Sequence, residues 1–220
     1  MDKKIIIANW KSNKVGSEAH IFLQGLLKEI NKLNLENKEI ILAPSFQLIS
    51  LCREFIDKYN LPVRLSAQNV SEFGQGAFTG EVNAEQVKEY CEDVIIGHSE
   101  RRTLFGEGDE QLVKKVNEAK KAGLRVIYCV QNSSQKIPSG ADIVAYEPPS
   151  AIGSGEPDSP ANVEKVFNEI KESFDGNVLY GGSISAQNVR DYIHIKSCGG
   201  LLVGGASLKL ESFIELLSQW

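Results

Sequence analysis

Asp142 to Pro157 reads DIVAYEPPSAIGSGEP. Ile143-Val144-Ala145-Tyr146 is a short apolar run with β-branched members, of strand type. It ends on a single carboxylate, Glu147, and passes into Pro148-Pro149, which can continue neither a strand ladder nor a helix. Gly153 and Gly155 follow, spaced by Ser154, in a segment without periodicity. A carboxylate at a strand exit, followed by a proline-started, glycine-ended loop, has the form of a base beneath a lid. A surface glutamate in an ordinary connection is the plainer reading, and what the other strands end in decides between them.

Seven more apolar runs of strand length flank this one: Ile5–Ala8, Ile40–Ala43, Val63–Ala67, Asp93–Ile96, Leu124–Val130, Val178–Tyr180 and Leu201–Val203. Between them lie mostly helical patterns. One has Ser17 as its cap, another has Asn83 with Gln86 in capping-box spacing. A third stops at Gly123, a fourth opens with Ser159-Pro160 and a fifth is capped by Ser185. Near-continuous apolar strands alternating with helices imply a parallel sheet buried on both faces. Eight is the number at which such a sheet closes into a packed barrel, so the fold class is α/β, a (β/α)8 barrel, as one domain over residues 1–220. One unit is irregular. Gln131 to Ala141 lacks apolar periodicity and barely reaches the ~10–12 residues that a crossover with a helix needs, so the connection between strands five and six is shortened and without a regular helix.

The formal charge of −5, from 24 basic and 29 acidic residues well mixed along the chain, gives no basic tract for nucleic acid. Cys52, Cys91, Cys129 and Cys198 are far apart and in no CxxC spacing, so they read as reduced thiols of a cytoplasmic protein, with a disulfide pair the minor alternative. Ile5-Ile6-Ile7 is too short a run for a signal peptide, and no run reaches membrane length. The expectation is a soluble cytosolic protein with no membrane or nucleic-acid partner.

In such a barrel the active mouth lies at the C-terminal ends of the strands. Asn9 and Lys11 follow the first strand, His98 and Glu100 the fourth, and Glu147 the sixth. Gly181-Gly182-Ser183 and Gly204-Gly205 follow the seventh and eighth. Two glycine pairs on neighbouring strands let backbone N–H groups turn around an anion, with a short helix near Gly205 or Ala206 adding its positive end; phosphate is the obvious anion. Tight strand-to-helix turns are the plainer account of one pair but not of two. His98 stands between a buried strand and a helical turn, where the helix end disfavours extra positive charge and a neutral imidazole is expected. A base, a neutral imidazole, a lysine and a phosphate cradle, with no metal-ligand cluster and no cofactor motif, fit proton abstraction beside the carbonyl of a small phosphorylated compound.

Asn9-Trp10-Lys11, Ala67-Gln68-Asn69, Gly76-Ala77-Phe78-Thr79-Gly80-Glu81, Gly97-His98-Ser99-Glu100-Arg101-Arg102, Ala145-Tyr146-Glu147-Pro148, Ala151-Ile152-Gly153-Ser154-Gly155, Tyr180-Gly181-Gly182-Ser183 and Val203-Gly204-Gly205-Ala206-Ser207 together resemble the triosephosphate isomerase family, in that family's order. The resemblance implies interconversion of dihydroxyacetone phosphate and D-glyceraldehyde 3-phosphate in glycolysis and gluconeogenesis, without a cofactor or metal. It implies Glu147 as the base, His98 and Lys11 at the enediolate oxygens, and Asn9 and Glu100 in support. This pairing of a glutamate base with a neutral histidine is a stock example of tuned acid–base chemistry. Gly153, Ser183, Gly204 and Gly205 would bind phosphate, and the loop carrying Thr79 would reach into the partner of a homodimer. The chain departs from the family pattern at Pro148-Pro149-Ser150, where Pro-Val-Trp is usual, and at Glu156-Pro157-Asp158, where Lys-Thr-Ala is usual. After strand five, Gln131-Asn132 replaces the usual Gly-Glu. Another phosphate-binding barrel isomerase, or a non-catalytic phosphometabolite-binding protein, is the alternative expectation.

Overall fold

The computed structural model describes residues 3–151 and 156–220. Its strands are β1 (Lys4–Asn9), β2 (Lys38–Ala43), β3 (Arg64–Ala67), β4 (Asp93–Ile96), β5 (Arg125–Val130), β6 (Ile143–Tyr146), β7 (Asn177–Tyr180) and β8 (Cys198–Val203). Each pairs in parallel with its neighbours, and β1 pairs with β8, so the sheet is a closed barrel. The helices are α1 (Gly16–Ile30), α2 (Phe46–Tyr59), α3 (Ala84–Lys88), α4 (Ser99–Phe105), α5 (Asp109–Lys121), α6 (Pro160–Lys171), α7 (Val189–Ile193) and α8 (Leu210–Gln219). Residues 131–142 carry no helix, as their composition predicts.

Side chains alternate across a strand, and this alternation divides the apolar residues into two layers. Ile5, Ile7, Ile41, Ile95, Ile127, Ile143, Ala145 and Leu179 fill the barrel. Ile6, Leu42, Leu65, Val94, Val126, Val144 and Val178 pack outward beneath the helices. Seven of the eight strands are therefore apolar on both faces, β3 alone turning Arg64 and Ser66 inward, which explains the near-absence of polar alternation in the sequence.

The helix starts depend on local capping. Asn83 accepts from the Gln86 N–H at 3.0 Å while Gln86 accepts from the Asn83 N–H at 3.1 Å. Ser159 caps α6 by accepting from the Asn162 N–H, with Pro160 in the first turn. Gly123, at φ 75, lies just past the end of α5. Two expected caps are corrected. Ser17 lies inside α1, whose start is Val15, because the Glu18 carboxylate reaches the Val15 N–H at 2.8 Å. Ser185 does not start α7; a turn intervenes, held by Asn188 Oδ1 accepting from the Ser185 N–H at 2.9 Å. Ile21 of α1 faces away from the core and is 68% exposed.

Inward parity also places Glu39, Arg64, Asp93 and Arg125 at the strand starts, where they close the barrel floor. Arg64 Nε donates to Asp93 at 3.0 Å and lies 3.3 Å from Glu39, while Arg125 bonds both carboxylates. Asp93 is fully buried and shares its charge between the two guanidinium groups.

β8 carries a bulge opposite Val178 and Leu179, and Gly200 there has φ 156. A Cβ on Gly200 would lie 1.9 Å from the Ile5 carbonyl oxygen, so β1 and β8 meet only because that position has no side chain. Gly200→Ala is expected to destabilise the protein by about 1–3 kcal/mol or more in urea unfolding, through overpacking against backbone. Gly205→Ala, with nothing within 4 Å of the added carbon, should leave the midpoint near wild type.

Candidate active site

The same alternation that fills the barrel carries polar side chains to its upper mouth. Asn9 continues the inward series of Ile5 and Ile7, and Glu147 that of Ile143 and Ala145. His98 has the opposite parity to Ile95, but Gly97, at φ 77, turns the chain and makes His98 the residue that starts α4. Glu147, Asn9 and His98 are all buried.

Glu147 is held at both oxygens. Oε1 lies 2.9 Å from His98 Nε2, and Oε2 accepts the Ser99 N–H at 2.9 Å. The buried Cys129 thiol beside it also favours the charged carboxylate. Burial would push the Glu147 carboxyl up, but the imidazole, the Ser99 N–H and the thiol outweigh this and hold it below its ordinary value. At the other imidazole nitrogen, Nδ1 accepts the Glu100 N–H at 3.3 Å, so a neutral ring carries its proton on Nε2, facing Glu147. Burial lowers the affinity of His98 for a second proton, but the Glu147 and Glu100 carboxylates raise it above the ordinary range while Glu147 stays in place.

Lys11 occupies the left-handed region at φ 52, which a non-glycine residue holds only when its surroundings fix it. Asn9 Oδ1 accepts the Lys11 N–H at 3.0 Å, and Gln68 Nε2 donates to the Lys11 carbonyl at 2.9 Å and to that of Ala43 at 2.8 Å. The ammonium bonds Glu100 at 2.5 Å, and its stem lies against Gly204.

Asn9, Lys11, His98, Glu147, Ser183, Gly204 and Gly205 border one cavity of about 520 Å³. Ser183 is itself in the left-handed region at φ 44; its carbonyl accepts from Asn188 at 3.1 Å and its hydroxyl bonds the Ala151 carbonyl. The short helix expected near Gly205 is a 3-10 turn, Gly205–Ser207. Glu100 stands beside this cavity through its bond to Lys11. Thr79 lies apart, in an exposed loop where Phe73 and Phe78 stack at 4.3 Å. Gly153 lies outside the described residues, as does the rest of the expected lid tip, 152–155. Sequence reading gave Ser99, Gln68 and Asn188 no role, and took Cys129 only as a reduced thiol. Inward parity on β5 was the available signal for Cys129.

A carboxylate, an imidazole and an ammonium over a glycine-walled cavity at the mouth of a (β/α)8 barrel define an acid–base barrel enzyme. The family model described as Triosephosphate isomerase matches residues 4–220. The chain is 38% identical over 242 positions to the triosephosphate isomerase of Mesomycoplasma hyopneumoniae (strain 7448), covering 98% of each chain. It is 36% identical to that of Chlamydia muridarum over 249 positions, 97% of this chain and 90% of the relative. It is 32% identical to that of Aquifex aeolicus over 247 positions, 98% of each. The chain belongs to the triosephosphate isomerase family. Each of these alignments is longer than the 220 residues here, so the relatives carry segments that this chain lacks.

The Glu147–His98 pair sets a pH window for stability. Glu147, depressed from 4.5, contributes stability that is present above pH 4.5 and lost as pH falls through its folded value. His98, raised from 6.5, contributes stability that is full below pH 6.5 and lost as pH rises through its folded value. The difference in unfolding free energy between wild type and Glu147→Gln should therefore peak between pH 4.5 and 6.5 in urea titrations. A difference flat across that window and on both sides of it would contradict the pairing.

Proposed function

We propose that the chain interconverts dihydroxyacetone phosphate and D-glyceraldehyde 3-phosphate through an enediolate, as an intramolecular aldose–ketose isomerase of glycolysis and gluconeogenesis. The observation that carries the reading is the Glu147–His98 contact of 2.9 Å, on a cavity shared with Lys11 and the Gly204-Gly205 turn. The substrate phosphate rests on backbone of Ser183, Gly204 and Gly205, with Gly153 added by family resemblance. Its carbonyl and hydroxyl oxygens then face His98 Nε2 and Lys11 Nζ. Asn9 and Glu100 hold Lys11 in its left-handed conformation and fix its ammonium.

Glu147 leaves Ser99 and His98 as substrate enters. Having lost the donors that depressed it, and staying buried, the carboxylate becomes a stronger base. It takes a proton from the carbon beside the carbonyl, and the C–H electron pair moves to make the enediolate, with charge on the carbonyl oxygen. His98 Nε2–H and Lys11 stabilise that oxygen. Departure of Glu147 also removes the carboxylate that favoured a second proton on His98. The neutral imidazole expected beside a helix start is thus the form met by substrate. His98 Nε2–H then gives its proton to the charged oxygen and takes the proton of the neighbouring hydroxyl, which becomes the new carbonyl. Return of the proton from Glu147 to the former carbonyl carbon completes the isomerisation.

The partner is a second copy of the chain. A groove beside Lys11 is bordered by Val15, Phe46 and Phe105, which are 62%, 38% and 67% exposed. These apolar groups support docking of the Thr79 loop of the other copy there. The four cysteines are free and buried, which supports a reducing, cytoplasmic setting, and among the described residues no helix is long and apolar enough to cross a membrane.

Glu147→Gln keeps the side-chain shape and removes its basicity. Turnover of glyceraldehyde 3-phosphate should fall by about 10²–10⁴, while affinity for inorganic phosphate stays near wild type in calorimetric titration. Retained turnover would refute the assignment. Sedimentation should give twice the 24.2 kDa mass of the chain.

A further inference from the structure

Tyr146, Tyr180 and Tyr192 are buried outside the barrel wall, with Tyr180 and Tyr192 stacked at 4.7 Å and Tyr146 6.3 Å from Tyr180. Their hydroxyls converge on one residue, Asp158. Tyr146 Oη donates to Asp158 Oδ2 at 3.2 Å, Tyr180 Oη accepts the Asp158 N–H at 2.7 Å, and Tyr192 Oη donates to the Asp158 carbonyl at 2.5 Å. The carboxylate also accepts the Ser159 N–H at 2.8 Å and Asn162 Nδ2 at 2.5 Å. Gly182 leaves room for this arrangement, since a Cβ there would lie 2.6 Å from Tyr180 Oη.

The position of the cluster in the chain gives it a consequence for the site. Tyr146 is the residue before Glu147. The last ladder bond at this strand end is the Glu147 N–H to the Val130 carbonyl, at 2.8 Å. Pro148 and Pro149 then have no N–H, so for two residues the backbone cannot donate to any neighbour. Tyr146, pointing outward from the barrel, supplies the missing tether through its hydroxyl. Asp158 is not required as the cap of α6, because Ser159 Oγ already performs that role.

We propose that Asp158 is a positioning residue for the isomerisation: through the Tyr146 hydroxyl, its carboxylate fixes the end of β6 and hence the direction from which Glu147 meets substrate. The inference rests on Glu147 being the base. Burial and the nearby Asp158 carboxylate push the Tyr146 hydroxyl up to about 12, so it remains a donor throughout the working range.

Asp158→Ala keeps the two backbone bonds to Tyr180 and Tyr192 and deletes only the carboxylate arm. Displacing a reacting group by about an ångström costs up to ~10²-fold, so kcat should fall by roughly tenfold to a hundredfold. KM and the dissociation constant of inorganic phosphate should change less than about twofold, because the anion cradle keeps its backbone donors. Asp158→Asn, which still offers an acceptor to Tyr146, should restore most of kcat. Tyr146→Phe should lower kcat similarly, and the double variant should add little to either single change. A lowered melting temperature with unchanged kcat in Asp158→Ala, or additive losses in the double variant, would reduce Asp158 to a structural residue and overturn the inference. Glu147→Gln separates the two readings. If it retains full turnover, the base assignment itself fails; if it is inactive while Asp158→Ala keeps wild-type kcat, only the positioning role fails.

Discussion

Closing eight parallel strands obliges every second residue to fit inside the barrel and the residues between to fit beneath the helices. That strict alternation is the constraint on which the molecule depends. It fills the interior with Ile5, Ile7, Ile41, Ile95 and Ile127, and aims Asn9 and Glu147 over the upper mouth. At the lower mouth it turns Glu39, Arg64, Asp93 and Arg125 inward as a charged floor. The outward residues of the same strands, Tyr146 and Tyr180, hold the chain beyond the site from behind. A slip of one residue in β6 would exchange Glu147 for Tyr146 or Pro148 at the cavity.

The site is quieter than its parts suggest. A fully buried carboxylate should be a strong base, yet Ser99, Cys129 and His98 restrain it. Strain is stored nearby, with Lys11 and Ser183 both in the left-handed region and each held by a neighbouring side chain, Asn9 or Asn188. In the proposed reaction, displacement of Glu147 from these partners releases its basicity while the strained residues keep the geometry fixed.

Features set by nearest neighbours were legible in the sequence. Asn83 with Gln86, Ser159 with Pro160, and Gly123 behave as their spacing predicts, because a cap involves residues three or four apart. The strand exits were legible too, since barrel topology dictates where they meet. Ser17 and Ser185 were misread because Glu18 and Asn188 satisfied the same backbone groups first. The tether on Asp158 was invisible for a different reason. Its three tyrosines lie 12, 22 and 34 residues away in sequence, and no local pattern links them.

The helix-free passage from β5 to β6 bears on how the chain reaches this state. Twelve residues, 131–142, separate the two strands, fewer than in any other connection between consecutive strands of the barrel. Loop-closure entropy grows with the logarithm of length, so this pairing costs the least order to form. Parallel sheets are slow to assemble because each contact joins distant residues, and here one contact is comparatively near. The strand that leads into Glu147 is thus the one whose first neighbour is cheapest to find, and the barrel can grow outward in both directions from that parallel pair.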